Sequence, residues 1–226
     1  MAWLLSTSSG DFRGRTHCPA ASYNGNSINE KEENKMQTGY RLSNVTKDYL
    51  TVYHCILDEM ITGMTGAEET DSISYDFITQ MIPHHRAAIE MSHNILKYTT
   101  NIPLQDLAEG IIAEQTKSIE NMRKIQAICT GRNNPHRDLT LYRQRNSQIM
   151  QTMFQEMRNV RTTNQINCDF IWEMIPHHRG AVRMARNALQ YSVCPELKPI
   201  LETIITSQET GISQMQGLLR AMHCVG

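Results

Sequence analysis

The sequence predicts an all-α fold, a helical bundle built from two tandem three-helix repeats. Apolar residues recur at three- and four-residue spacing along most of the chain, and nowhere do they alternate as in a strand. The string MIPHHR occurs twice, at 81–86 and at 174–179. Setting residues 42–131 against 135–224 at a constant offset of 93 gives 27 identities in 90 positions, 14 of them within residues 76–98, which marks an internal duplication. The chain therefore divides into an N-terminal segment (1–41), a first helical repeat (42–131) and a second (135–226).

The N-terminal segment has no periodicity, a short apolar start (MAWLL) and many turn residues, so it is read as disordered. It lacks the basic start and the apolar stretch of roughly 7 to 15 residues that a secretory signal needs. Lys31-Glu32-Glu33 can be encoded by a purine-rich ribosome-binding core a few codons before Met36. The expectation is that Met36 is the natural start and that the residues before it are not native coding sequence.

The first helix of repeat one is expected from about Asn44 to Met64, with Tyr49, Tyr53, Ile56, Met60 and Met64 on one face. Its counterpart follows Asn134-Pro135 and keeps Tyr142, Ile149, Met153 and Met157. The second helix starts near Ser72 or Ser74 (Asn167 in repeat two) and runs to about Tyr98 or Tyr191. The third opens with Pro103, or near Pro195, because proline suits a first helical turn, and it ends before Gly131 or at the C-terminus. Short connections make sequential helices antiparallel neighbours.

At 100° per residue, two adjacent stripes of the second helix merge into one apolar face. They are Phe77, Met81, His84, Ala88, Met91, Ile95 and Ile78, Ile82, His85, Ile89, Ser92, Leu96. The other side holds Thr79, Gln80, Pro83, Arg86, Glu90, His93, Asn94 and Lys97 and is expected to face solvent. Repeat two preserves the pattern, so both histidine pairs sit mid-face, where burial is expected. Pro83 on the wet side either bends the helix and tips His84-His85 inward, or opens the main helix after a separate turn.

Composition narrows the partners. A net charge of −1 makes neither a nucleic-acid backbone nor a bilayer the obvious partner, and no apolar run reaches the roughly 20 residues of a transmembrane helix. Six cysteines without a C-x-x-C pair exclude a zinc-ribbon or thioredoxin-like site, and with no export signal they are expected to be mostly free thiols in the cytoplasm. The 14 methionines stand against 4 phenylalanines and 2 tryptophans. Met60, Met64, Met81, Met91 and Met122 all reappear, as Met153, Met157, Met174, Met184 and Met215. Of the four histidines in repeat one, the pair His84-His85 is retained, whereas His54 and His93 become Ser147 and Arg186.

Thioether sulfur and neutral imidazole without a carboxylate cluster suit copper(I) or a similar soft ion. One site per repeat is expected, with His84 and His177 as ligands because each shares its stripe with two methionines, and with Gln115 and Gln208 on the third helix placed to orient an imidazole. The rival expectation is a structural or interaction bundle whose buried histidines only form hydrogen bonds. An enzyme is not expected: Glu90 and His93 spell a di-iron E-x-x-H, but they lie toward the wet side and repeat two has Arg183 and Arg186 there.

The strings DFITQMIPHHRAAIEMSHNIL and DFIWEMIPHHRGAVRMARNAL, followed by LETIITSQETGISQMQGLL, resemble the bacterial family known as domain of unknown function 305. The resemblance covers residues 42–224 and implies a ferritin-like helical bundle, with copper bound in some exported members through Met and His side chains. It points to Met81, His84, His85, Met91 and Met122 and to Met174, His177, His178, Met184 and Met215. Many members have Gln where this chain has Arg86 and Arg179, and many carry the secretion signal that this chain does not show. A metal ion is the implied partner, and the resemblance leaves room for a homo-oligomer and an exported location.

Overall fold

A computed structural model describes residues 41–224; the expectations for the N-terminal segment, its disorder and the start at Met36 lie outside the described residues. Six helices follow in order: α1 (Asn44–Thr65), α2 (Ile73–Ile95), α3 (Ile102–Thr130), α4 (His136–Arg158), α5 (Ile166–Ala188) and α6 (Lys198–Ala221). No strand occurs among the described residues, so the fold is an all-α bundle.

Short polar side chains start the helices of the first half. Ser43, Ser72 and Asn101 each accept a hydrogen bond from the backbone amide three residues on, satisfying one donor that the first turn leaves free. α6 begins at Lys198, three residues later than expected: Pro195 lies in the preceding turn, and Pro199 takes the first helical turn instead.

α2 packs along α1 and α3, and α5 along α4 and α6; contacts of α2 with α5 and of α3 with α6 join the halves. Several contacts recur at the 93-residue offset. Asn94 and Asn187 donate to the carbonyls of Tyr49 and Tyr142, and Tyr98 and Tyr191 stand edge-on to the same tyrosines. Asp76 and Asp169 accept from the amide and hydroxyl of Thr70 and Thr163. The arrangement is compatible with two tandem three-helix repeats.

Three expectations need correction. Gln80 and Asn94 do not face solvent but are buried, as are Glu173 and Asn187. α2 and α5 are each covered by three neighbouring helices, so the wet edge of α2 narrows to residues such as Arg86, His93 and Lys97. Pro83 and Pro176 lie inside continuous helices, Pro83 half-buried and Pro176 buried, so neither opens a helix. Pro83 meets α1 at Gly63, where a Cβ would come within 2.8 Å of the ring. The cysteines are not mostly free. Cys168, in the first turn of α5, and Cys224, just after α6, stand 5.8 Å apart at Cα and form a disulfide. Cys55 is also disulfide-bonded, while Cys129 and Cys194 are buried free thiols.

Candidate functional site

The two MIPHHR strings meet at the crossing of α2 and α5. The His84 and His177 rings lie over one another with centroids 3.7 Å apart and planes inclined by 30°. His84 Nε2 is 3.2 Å from the carbonyl oxygen of His177, and His177 Nε2 is 3.1 Å from that of His84. A carbonyl only accepts, so both Nε2 atoms carry the proton and each Nδ1 keeps its lone pair.

The second histidine of each pair turns to the third helix of its own half. His85 Nε2 lies 3.0 Å from Ser118 Oγ on α3. At the same place on α6 stands Gly211, and a Cβ there would lie 3.0 Å from His178 Cδ2 and 3.1 Å from Nε2, so His178 rests on the backbone of α6. The expectation that Gln115 and Gln208 orient imidazoles gains no contact. Both glutamines are buried with their carbonyl oxygens unpartnered, and Ser118, one turn further along α3, holds His85 instead. Sequence reading missed Ser118 because its counterpart is glycine; the signal available was its position three residues after Gln115.

All four imidazoles are fully buried, at 2 % exposure or less. Burial disfavours the charged form and lowers each pKa, His85 to about 3 and His177 to about 4, with His84 and His178 also well below the usual histidine value. His84, His85 and His178 are pushed further down by neighbouring imidazoles. The cluster is therefore neutral at physiological pH, the protonation state in which imidazole binds a metal. Nδ1 of His84, His85 and His177 is buried without a hydrogen-bond partner. An unpaired buried polar atom costs about 1–3 kcal/mol, so these nitrogens, lone pairs in His84 and His177, are a burden that a partner would relieve.

Met81, Met91 and Met122 and their counterparts Met174, Met184 and Met215 are buried in the same core, none more than 1 % exposed. Among the described residues no group of three or more His, Cys, Asp or Glu side chains is arranged to hold a metal. A metal here would need thioether donors, which select soft ions. Glu90 is half-buried and His93 exposed on the far side of α2.

A second polar arrangement flanks the histidines. One turn before His177, the buried Glu173 accepts a 2.5 Å hydrogen bond from Tyr49 of α1, and burial raises both groups well above their usual pKa values. The equivalent residue in the first half is Gln80, which accepts from Asn146 of α4 at 2.6 Å.

Comparison with known proteins assigns the family. The family described as domain of unknown function (DUF305) matches residues 74–219. Among solved structures, the crystal structure of a DUF305 fragment from Deinococcus radiodurans is similar, with 20 % identity and a TM-score of 0.49, over 66 % of this chain and 96 % of that one. No curated protein matches the chain. The chain belongs to the DUF305 family.

Proposed function

We propose that this member of the DUF305 family is a non-enzymatic protein that binds a soft metal, copper(I) above all, through imidazole and thioether groups at the α2–α5 crossing. One observation carries this reading: His84 and His177 are neutral, stacked, and fixed by their Nε2–H groups, which leaves two buried Nδ1 lone pairs with no partner. His85 and His178 lie alongside, and Met81, Met91, Met122, Met174, Met184 and Met215 supply sulfur to the same core, in equal number from each half.

The reciprocal Nε2 to carbonyl bonds favour a second reading, in which the histidines only clamp the two halves together. His84→Gln with His177→Gln separates the two. Glutamine keeps an N–H donor at the reach of Nε2 but has no lone pair in place of Nδ1. Anaerobic copper(I) titration against a competing chelator is run in a Cys129→Ser, Cys194→Ser background, so that free thiols do not compete for the ion. The metal reading expects tight binding that the double glutamine variant loses, about one equivalent per half, with little change in stability. Equally weak binding by both proteins would leave only the clamp.

A further inference from the structure

Tyr142 and Asn146 on α4 are 1 % and 2 % exposed, yet Tyr142 Oη and Asn146 Oδ1 have no hydrogen-bond partner. Both line a cavity of about 190 Å³ enclosed by the C-terminal end of α1, the α1–α2 connection, α2 and α4. Met64 and Met150 contribute apolar lining and Gln80 a buried amide, while Arg143 and Glu69 are among the more exposed of the polar lining residues.

The place related to the cavity by the 93-residue offset shows why it exists. Tyr53 of α1 occupies the position equivalent to Asn146, and it is buried with its hydroxyl donating to the Met157 carbonyl at 3.0 Å. At the cavity the carbonyl at the matching place belongs to Met64, and Asn146 is shorter than the tyrosine it replaces.

We propose that this cavity binds a small aliphatic amine or guanidine. Asn146 Oδ1 accepts only, because its amide nitrogen already donates to Gln80. The ligand must therefore bring a hydrogen-bond donor, N–H or O–H. Burial raises the Tyr142 phenol, so it stays protonated and offers one further donor or acceptor. Arg143 is engaged by Asp76, by Glu69 and by the Thr70 carbonyl, so it presents no free positive charge to an anion. Two carboxylates, Asp76 and the 60 % exposed Glu69, stand against the single Arg143 guanidinium, a balance that favours a cation. The thioethers suit a short alkyl chain, and the volume limits the ligand to about the size class of benzene, which a dry cavity of roughly 150 Å³ holds.

The test uses the full chain with 13C-labelled methionine methyl groups, titrated with n-butylguanidinium, n-butylammonium, n-butanol and butyrate. The two cations are expected to shift the Met64 and Met150 methyl signals saturably, and butyrate to act at least tenfold more weakly. Asn146→Tyr rebuilds the packing found at Tyr53 and should abolish the response while the remaining methionine signals stay in place. Tyr142→Phe keeps the shape, removes one polar contact and should weaken binding at least fivefold, which serves if Asn146→Tyr does not fold. No saturable shift would leave the cavity to water, equal response to all four probes would show no preference for a cation, and unchanged binding in Tyr142→Phe would place the ligand elsewhere; each overturns the proposal.

Discussion

Mild acid should destabilise this protein steeply, through the four central histidines. His84, His85, His177 and His178 are buried and held neutral, with His85 at about 3 and His177 at about 4. In the unfolded chain each takes up a proton near pH 6.5. Between the folded and unfolded values the unfolded state binds more protons, so the contribution is fully present above about pH 6.5 and is lost as the pH falls. Each histidine gives a slope of about 1.4 kcal/mol per pH unit, and four give roughly 5 to 6. Buried carboxyls oppose them. Glu173, Asp169 (raised by burial to about 6) and Asp76 hold their protons more tightly when folded, so their stability contribution grows as the pH falls toward 4. Near pH 6, where an unfolded histidine is only about three-quarters protonated, the net slope is then roughly 2 kcal/mol per unit, large beside a typical total of about 5–15 kcal/mol. Urea unfolding at intervals from pH 7.5 to 5 measures this slope directly. In His84→Gln, His177→Gln the slope near pH 6 should fall by about 1.5 protons, near 2 kcal/mol per unit. A wild-type stability flat from pH 7 to 5, or a slope unchanged in the variant, would refute the reasoning.

Glu173→Gln installs the amide that Gln80 supplies in the other half; because burial raises the Glu173 pKa, wild-type stability should drop with rising pH through the folded value, and the variant should gain on it by about 1.4 kcal/mol per unit over that interval. Parallel denaturation curves across pH would count against a raised Glu173. Replacing Cys168 by Ser opens a link spanning 56 residues, expected to cost about 4 kcal/mol by loop entropy and read as a lowered urea midpoint. Gly180→Ala would bring a Cβ within 2.0 Å of Met153 Sδ, so despite better helix propensity it should cost about 1–2 kcal/mol, and Met153→Ala should suppress that cost in a double-mutant cycle.

The helices were legible in the sequence because each carries its own period; Ser72 was among the expected starts and caps α2, whereas the caps Ser43 and Asn101 stand beside starts read only from Asn44 and Pro103. The burial of the histidine pairs was legible for the same reason, since His84 and His177 share stripes with methionines. What a period cannot encode is which helix covers which. The polar side of α2 looked wet because the sequence does not show that Gln80 meets Asn146 of α4 or that Asn94 meets the α1 backbone. The stacking of His84 on His177 is hidden likewise: the repeat points to two equivalent sites, whereas contact between the repeats brings them to one crossing. The Cys168–Cys224 link needed the end of α6 to return to the start of α5. The asymmetry of Tyr53 and Asn146 was visible in the repeat alignment, but only the empty space beside Asn146 gives it meaning.

X-ray absorption at the copper edge tests the central claim most directly, on copper(I)-loaded protein carrying Cys129→Ser and Cys194→Ser. The account predicts a coordination shell mixing imidazole nitrogen with thioether sulfur, with the nitrogen lost in His84→Gln, His177→Gln. Failure to retain copper through desalting, or a shell with no imidazole nitrogen, would contradict it.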